Sequence, residues 1–427
     1  MTSKAARAGI VVTGTEVVTG RVSDRNGPWI SERLGELGID VAHIVCVGDR
    51  RHDLEAALRF LSGEGIDLIV TSGGLGPTAD DLTAEVVASF AGRELVLDRG
   101  MEEKIAQILA GFARRLRFDA EALRDANRKQ AMVPRGATTI DPAGTAPGLV
   151  VPTDGPTVIV LPGPPRELRA MWPKALETGE ARAVLARAEP YLTASLSMFG
   201  IPESEVAKTL GEIGDEVDLS ALEITTCLRR AEVEVEIRHR PGAEAARERV
   251  VEGIISRHGR FVFSRDGSSI DEQVSGLLAG RRIGVGESCT AGLLAARLTE
   301  IPGASQYVAG AVVAYSDESK RELLGVPAEL LEEHGAVSPQ VAEAMTDGAM
   351  ERFHADVGAG VTGIAGPKGG TEEKPVGYVC VCVKTAEGTK LARDPVLPGD
   401  RTEVRDRSTT LAMHLLRRLL RGEDFPR

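Results

Sequence analysis

The chain has 427 residues, more than one ordinary hydrophobic core accommodates, so two or three domains are expected. Hydrophobic residues make up 42% and charged residues 27%, a soluble globular balance, and aromatics at 4% leave little for stacking single-stranded nucleic acid. The net charge of -12 disfavours duplex DNA or an anionic membrane as the main partner, because phosphate binding needs clustered Lys and Arg.

No segment reaches the 18 or more apolar residues of a membrane span, and "MTSKAARAGIVVTGTE" lacks the apolar core of a secretory signal, so cytoplasm is the expected location. The cysteines, at 46, 227, 289, 380 and 382, form no CxxC pair. Cys380 and Cys382 alternate along one apolar run and share a face. All five read as buried, reduced thiols.

In chain order, "AGIVVTG" is a strand and "DRNGPWISERLGELG" a helix closed by Gly38. "DVAHIVCVGD" (strand), "DLEAALRFLSG" (helix), "IDLIVTSGGLGP" (strand into a glycine loop), "DDLTAEVVASFAG" (helix) and "PTVIVLPGPP" (strand) follow. Apolar, non-alternating strands between helices argue for a parallel sheet covered on both faces, with ligands beyond the carboxyl ends of the strands. Those ends read "TGTE", "VGDR", "SGGLGPTADD" and "LPGPPRE". "ETGEARAVLARAEP" reads as a connector. From Tyr191 to about Asp266, "YLTASLSMFG" and the strictly alternating "RAEVEVEIRHR" are strands and "AEAARERVVEGIISRHG" a helix, a small α+β spacer or assembly module. From near Ser269 strand–helix alternation resumes and ends in a long helix from "DRTEVRDRS" to "RRLLR". The expected fold class is α/β: two α/β domains with largely parallel sheets, residues 1–175 and 269–423, joined by a small α+β module over 190–266.

Chemistry concentrates in two places. In "TSGGLGPTADDLT", Gly73, Gly74 and Gly76 can cradle a phosphate after a strand, Thr78 offers a hydroxyl, and Asp80 and Asp81 can hold a divalent metal such as Mg²⁺ that meets phosphate oxygens. The competing reading is that the aspartates cap the next helix. In "RRIGVGESCTAGLLAARLTE", Ser288, Cys289 and Thr290 sit where a strand passes into a helix, beside backbone N–H groups without intrahelical partners. Taken alone, the junction reads first as Ser288 or Thr290 capping the helix. "VAYSDESK" adds Tyr315 and Lys320, a phenol and an amine able to hold a serine hydroxyl deprotonated. "TGIAGPKGGTEEKPVG" is a glycine loop, and Arg401 and Arg405 open the last helix where a phosphate can be held.

Taken in order, "ESCTAG", "AYSDESK", "HGAVS", "GIAGPKGGTEEKPVG" and "GDRTEVR" resemble the C-terminal domain of the CinA family over residues 269–421. "TGTEVVTGRVSDRN", "TSGGLGPTADDLT", "NRKQAMVP", "GTAPGL" and "LPGPPRE" resemble the molybdopterin-binding fold at the N-terminus of CinA proteins, over residues 8–172. The first resemblance implies a nicotinamide-nucleotide amidase that converts nicotinamide mononucleotide (NMN) to nicotinate mononucleotide and ammonia without a cofactor. Ser288 would be the nucleophile, ahead of Cys289, which has no paired His. Tyr315 and Lys320 would activate it. The backbone from Thr290 to Gly292 and the loop of Thr362, Gly363 and Gly366 would face the oxyanion, and Arg401 would bind the phosphate. The second resemblance implies a metal-dependent ADP-ribose pyrophosphatase lined by Glu16, Asn26, the glycine loop, Asp80 and Asp81. Ala291 stands where the family usually has Gly, Lys368 where an acidic residue is common, and Thr15 where Asp or Asn is expected. A homodimer is expected, with neither nucleic acid nor membrane as partner. Two alternatives stand beside this reading: a molybdopterin-binding protein of cofactor biosynthesis, and a non-enzymatic partner protein in competence or DNA damage.

Overall fold

Strand β1 (Arg7–Thr13) is buried along almost its whole length, because helices cover both faces of its sheet. Ile10 packs with Ile30 and Leu34 on one side, and Val11 with Leu58 and Leu61 on the other. The computed structural model describes residues 5–113 and 127–424 and divides into two units, Met1–Tyr191 and Leu192–Arg427.

The first unit carries β1, β2 (Asp40–Val47), β3 (Leu68–Ser72), β4 (Leu95–Leu97), β5 (Met132–Pro134), β6 (Thr138–Ile140), β7 (Gly148–Val151) and β8 (Thr157–Leu161). Its main sheet runs β2-β1-β3-β8-β7-β6, parallel from β2 to β8, with β7 and β6 added antiparallel. The pair β4–β5 stands apart. Its helices are α1 (Thr15–Val18), α2 (Asn26–Glu36), α3 (Arg51–Gly63), α4 (Thr83–Phe90), α5 (Arg99–Ala113), α6 (Pro165–Leu176) and α7 (Gly179–Leu185).

Two expectations change here. The Ala/Glu/Arg-rich stretch read as a connector folds as α7: Thr178 caps it, and Ala181 and Val184 are buried against the first unit. The Asp80–Asp81 pair caps nothing; α4 starts two residues later behind Leu82, with no side-chain cap.

In the second unit, β9 (Leu192–Phe199), β10 (Leu222–Arg229), β11 (Glu232–His239) and β12 (Val262–Ser264) form an antiparallel sheet in the order β10-β11-β9-β12. Val233, Val235 and Ile237 alternate inward onto α8 (Glu203–Gly214) and α9 (Glu244–His258), as the period of "RAEVEVEIRHR" requires. The same unit holds a five-stranded sheet, β14-β13-β15-β16-β17. Its strands are β13 (Ile283–Glu287), β14 (Val308–Val313), β15 (Val357–Gly363), β16 (Val379–Thr385) and β17 (Lys390–Arg393). The first three are parallel; β16 and β17 extend the sheet antiparallel. The helices are α10 (Ile270–Leu277), α11 (Leu293–Leu298), α12 (Asp317–Leu324), α13 (Ala328–His334), α14 (Pro339–Phe353) and α15 (Arg401–Arg421).

A buried pair ties the small sheet to α15. His414 lies 2.7 Å from Glu232 and stacks on Phe199 with centroids 3.8 Å apart. Burial pushes the Glu232 carboxyl up to about 7 and holds His414 well below the ordinary imidazole range, so the pocket disfavours charge on either partner. Cys289, Cys380 and Cys382 are buried thiols as expected, whereas Cys46 and Cys227 lie on half-exposed strands and are exposed. Among the described residues no helix is long and apolar enough to cross a membrane.

Helix α14 sits unusually close to its sheet because glycines face it. A Cβ on Gly284 would come within 2.6 Å of the Ala349 carbonyl oxygen, and one on Gly286 within 2.8 Å of that of Met345. On the helix itself, a Cβ on Gly348 would overlap the backbone of Leu324. Backbone cannot yield as a side-chain tip does. Gly348→Ala is therefore expected to destabilise the second unit by about 3 kcal/mol. Urea unfolding followed by a probe in that unit checks this, and an unchanged midpoint would show that α14 can shift away from α12 without loss.

Candidate functional site

In the second unit the candidate site lies at the carboxyl ends of three adjacent parallel strands. Strand β13 ends in Glu287, which is fully buried. Its carboxylate turns back over the start of α11 and accepts three backbone N–H groups, from Gly292 (2.9 Å), Leu294 (3.1 Å) and Ala295 (2.9 Å). Those are the donors a helix leaves unpaired in its first turn, and a carboxylate there is also favoured by the helix dipole. The segment between strand and helix is pinned further. Ser288 N donates to Val361 O at 2.9 Å, and Ala291 N to Ser288 O at 3.1 Å. Arg405 reaches in from α15 and donates to the carbonyls of Cys289 and Thr290, both at 3.0 Å.

Ala291 and Gly292 both have positive φ, 50° and 92°. The departure to Ala therefore falls at a left-handed position, where a Cβ costs about 1 kcal/mol and a glycine costs nothing.

Strand β14 runs beside β13, with Glu287 in register with Val313 and Ala314 N–H donating to Glu287 O, so that Tyr315 follows at the adjoining strand end. Tyr315 is 56% exposed. Lys320, on α12, is 2% exposed, and its amine lies 3.4 Å from both the Tyr315 carbonyl oxygen and Asp317 Oδ1. On the other side β15 brings Thr362, whose hydroxyl donates to Ala336 O at 2.8 Å, and Gly363. A Cβ on Gly363 would sit 3.1 Å from the Cys289 sulfur, so the glycine leaves room for the thiol. Beyond it Gly366, at φ 83°, turns the loop. Arg401 donates to Gly366 O at 2.8 Å and to the Tyr315 hydroxyl at 2.7 Å.

Two assigned roles change with this geometry. The Gly292 amide is taken by Glu287 and does not face a substrate oxyanion. Arg405 holds the backbone of the serine segment, leaving Arg401 as the phosphate candidate of the two. Lys320 addresses the Tyr315 backbone and Asp317. Thr290 is fully buried, and its hydroxyl has no hydrogen-bond partner. Cys289 is a poor nucleophile here: burial, reinforced by the Glu287 charge, pushes its thiol up to about 12, so thiolate is negligible at neutral pH.

The first unit has a cavity of about 780 Å³ at the carboxyl ends of its parallel strands. Glu16, Asn26, Gly73, Gly74, Gly76, Asp80 and Asp81 all line it. Thr78 supports the wall from behind: its hydroxyl lies 2.5 Å from Asp80 Oδ1 and 2.6 Å from Asp81 Oδ2, and its N–H donates to Asp81 at 2.9 Å. The Thr78 hydrogen bond lowers the Asp80 carboxyl below the usual range. Asn26 Nδ2 donates to Ser72 Oγ (2.8 Å) and Gly163 O (2.7 Å), which fixes the amide and leaves its buried Oδ1 without a partner. Thr83, not an aspartate, locks the glycine loop, through its hydroxyl to Gly73 O at 2.9 Å and its N–H to Gly74 O at 3.0 Å.

Asp24, Asp49 and Glu167 also line the cavity and were not singled out, although Asp49 and Glu167 lie in strand-end stretches that marked the site and Asp24 in the stretch "TGTEVVTGRVSDRN". Burial raises the Glu167 carboxyl. Among the described residues no group of three or more His, Cys, Asp or Glu side chains is placed to hold a metal. Asp80 and Asp81 offer two carboxylates, which matches the way Mg²⁺ is held by one or two acids and completed by phosphate oxygens and water.

Residues 268–420 match the model of the CinA C-terminal domain, and residues 9–180 that of a probable molybdopterin binding domain. A CinA-like protein of Mycobacterium sp. (strain JLS) is 60% identical over 417 residues, covering 97% of this chain and 99% of its own length. The chain belongs to the CinA family. A second CinA-like protein, of Mycobacterium tuberculosis (strain ATCC 25177 / H37Ra), is 56% identical over 424 residues and 98% of each chain. Among solved structures, the competence/damage inducible protein CihA from Agrobacterium tumefaciens is 39% identical over 37% of this chain and 99% of its own, with a TM-score of 0.34. The two matched segments of this CinA protein contain the two sites: the cavity falls within 9–180, and Glu287 to Arg405 within 268–420.

Glu287 gives the sharpest test of the second site. Gln would present an NH₂ group to backbone donors and lose charge-assisted bonds, so Glu287→Gln is expected to destabilise the second unit by about 2–3 kcal/mol. Thermal unfolding checks this; an unaltered transition would mean that the three N–H groups find other acceptors.

Proposed function

We propose that the second unit hydrolyses the carboxamide of NMN to nicotinate mononucleotide and ammonia. The observation that carries this reading is the convergence of Ser288, Tyr315 and the Thr362–Gly366 loop at neighbouring strand ends, on a serine segment held by Glu287 and Arg405. In the first half-reaction Ser288 Oγ bonds to the carboxamide carbon while its proton passes to the Tyr315–Lys320 pair. Collapse of the tetrahedral intermediate breaks the C–N bond, and the same proton returns to the nitrogen, which leaves as ammonia. Water then attacks the acyl carbon and restores the serine hydroxyl, releasing the carboxylate. A serine serves because its neighbour Cys289 is enclosed and protonated. The Gly292 amide being occupied, the oxyanion would face the backbone of Cys289 and Thr290 instead.

For the first unit we propose hydrolysis of a nucleoside diphosphate of the ADP-ribose type. Asp80 and Asp81 would hold a divalent cation that neutralises phosphate charge, and the Gly73–Gly76 loop would approach the phosphates through its backbone. A cavity lined by Glu16, Asp24, Asp49 and Glu167 as well repels a bare pyrophosphate, which supports a requirement for the cation.

Ammonia release from NMN by the purified protein tests the first proposal. The parent and Cys289→Ala are expected to release ammonia, and Ser288→Ala to fall by at least about 10³-fold. A folded parent that releases none would sink the reading. For the second, ADP-ribose cleavage by the full chain is expected to stop with chelator, return with Mg²⁺, and drop at least about 100-fold in Asp81→Asn. Cleavage that survives chelation would count against a cation at Asp80 and Asp81.

A further inference from the structure

Arg401 stands at the first turn of α15, held by a capping box in which Asp400 accepts from Thr402 and Glu403 N–H and Glu403 accepts from Asp400 N–H. Its backbone is thus fixed, and its guanidinium is already engaged. One Nη donates to the carbonyl of Gly366 at 2.8 Å, the other to the phenol of Tyr315 at 2.7 Å. A single cation therefore links the end of β14, the glycine loop and the last helix.

The two acceptors are neutral, and the phenol is 56% exposed. A phosphate dianion is a stronger acceptor for the same fork, because its bonds to guanidinium are charge-assisted and can be bidentate. The Arg401 N–H thus occupies acceptor capacity on the phenol oxygen that the amidase reading uses to take up the serine proton.

We propose that the phosphate of the substrate does more than anchor it: by drawing the Arg401 guanidinium onto itself it frees the Tyr315 phenol for proton transfer at Ser288. Arg401 is then a specificity-determining residue that couples the phosphate, remote from the reacting carboxamide, to turnover. This rests on the amidase reading above. A simple phosphate receptor lowers KM and leaves kcat alone, whereas binding energy that rearranges the proton-transfer group appears in kcat.

The test compares NMN with its dephosphorylated nucleoside on the full chain, by ammonia release, with inorganic phosphate as a separate addition. The expected result is a kcat at least about tenfold lower for the nucleoside, partly restored by saturating inorganic phosphate supplied in trans. In Arg401→Gln the ratio of the two kcat values is expected to fall to within about twofold to threefold, and inorganic phosphate to have no effect. Equal kcat values for the two substrates in the parent, differing only in KM, would overturn the coupling and leave the amidase reading standing. So would an Arg401→Gln variant that slows both substrates by the same factor, since Arg401 would then only position Tyr315. Ammonia from neither substrate, with the parent folded, would instead overturn the amidase reading and this inference with it. The parent comparison needs no variant, so a misfolded Arg401→Gln would not rescue the idea.

Discussion

A carboxylate with no exposure to water organises the second unit. Glu287 ends a central strand and, instead of pointing into solvent, folds over the first turn of the next helix and takes three of its N–H groups. A buried charge is tolerable only with such compensation. The consequence is directional. The strand cannot slide, the helix cannot rotate, and the residues between them, Ser288 to Ala291, are left in one conformation. Arg405 closes that conformation from the far side. The positive end of the helix, often a ready place for a ligand anion, is here satisfied from within. An anionic group of the proposed substrate would then have to be held by side chains from other elements, Arg401 first among them.

Close seating of α14 is the second constraint. Gly284 and Gly286 on the strand leading to Glu287 let the helix backbone rest almost on the sheet. Larger residues would lift the helix and with it the α12 segment that carries Lys320. The glycines of this region thus do two different jobs. Those on β13 make room for packing, while Gly292 and Gly366 supply left-handed turns around the site.

Much of this was legible in the chain. Period and composition marked the apolar strands, the junction at Ser288, the glycine loops and the helix that begins at Arg401, because each is a local pattern. The cavity of the first unit was legible as a set of strand ends. What stayed hidden depends on long-range pairing. A glutamate after an apolar run reads as the first solvent-facing residue, and nothing local says that Glu287 turns inward. His414 meets Glu232 across 182 positions. The stretch over α7 looked like a linker because its Ala, Glu and Arg content is that of a solvated helix; within α7 only Ala181 and Val184 are fully buried, with Leu185 packed beside them. Strand β10, "LEITTCLR", carries polar residues on its open face and lacks the apolar density of its neighbours. Short antiparallel additions such as β6 and β17 have too few residues to show a period.

The enclosed thiol beside the serine has a consequence for redox chemistry. Oxidation of cysteine by peroxide proceeds through the thiolate and needs access to the sulfur, and Cys289 has neither, with its thiol at about 12 and its sulfur packed against Gly363. A hydroxyl nucleophile does not enter that oxidation ladder at all. If Ser288 is the nucleophile proposed above, the site would keep its reactive atom through peroxide exposure that would convert an accessible catalytic cysteine to sulfenic or sulfinic acid.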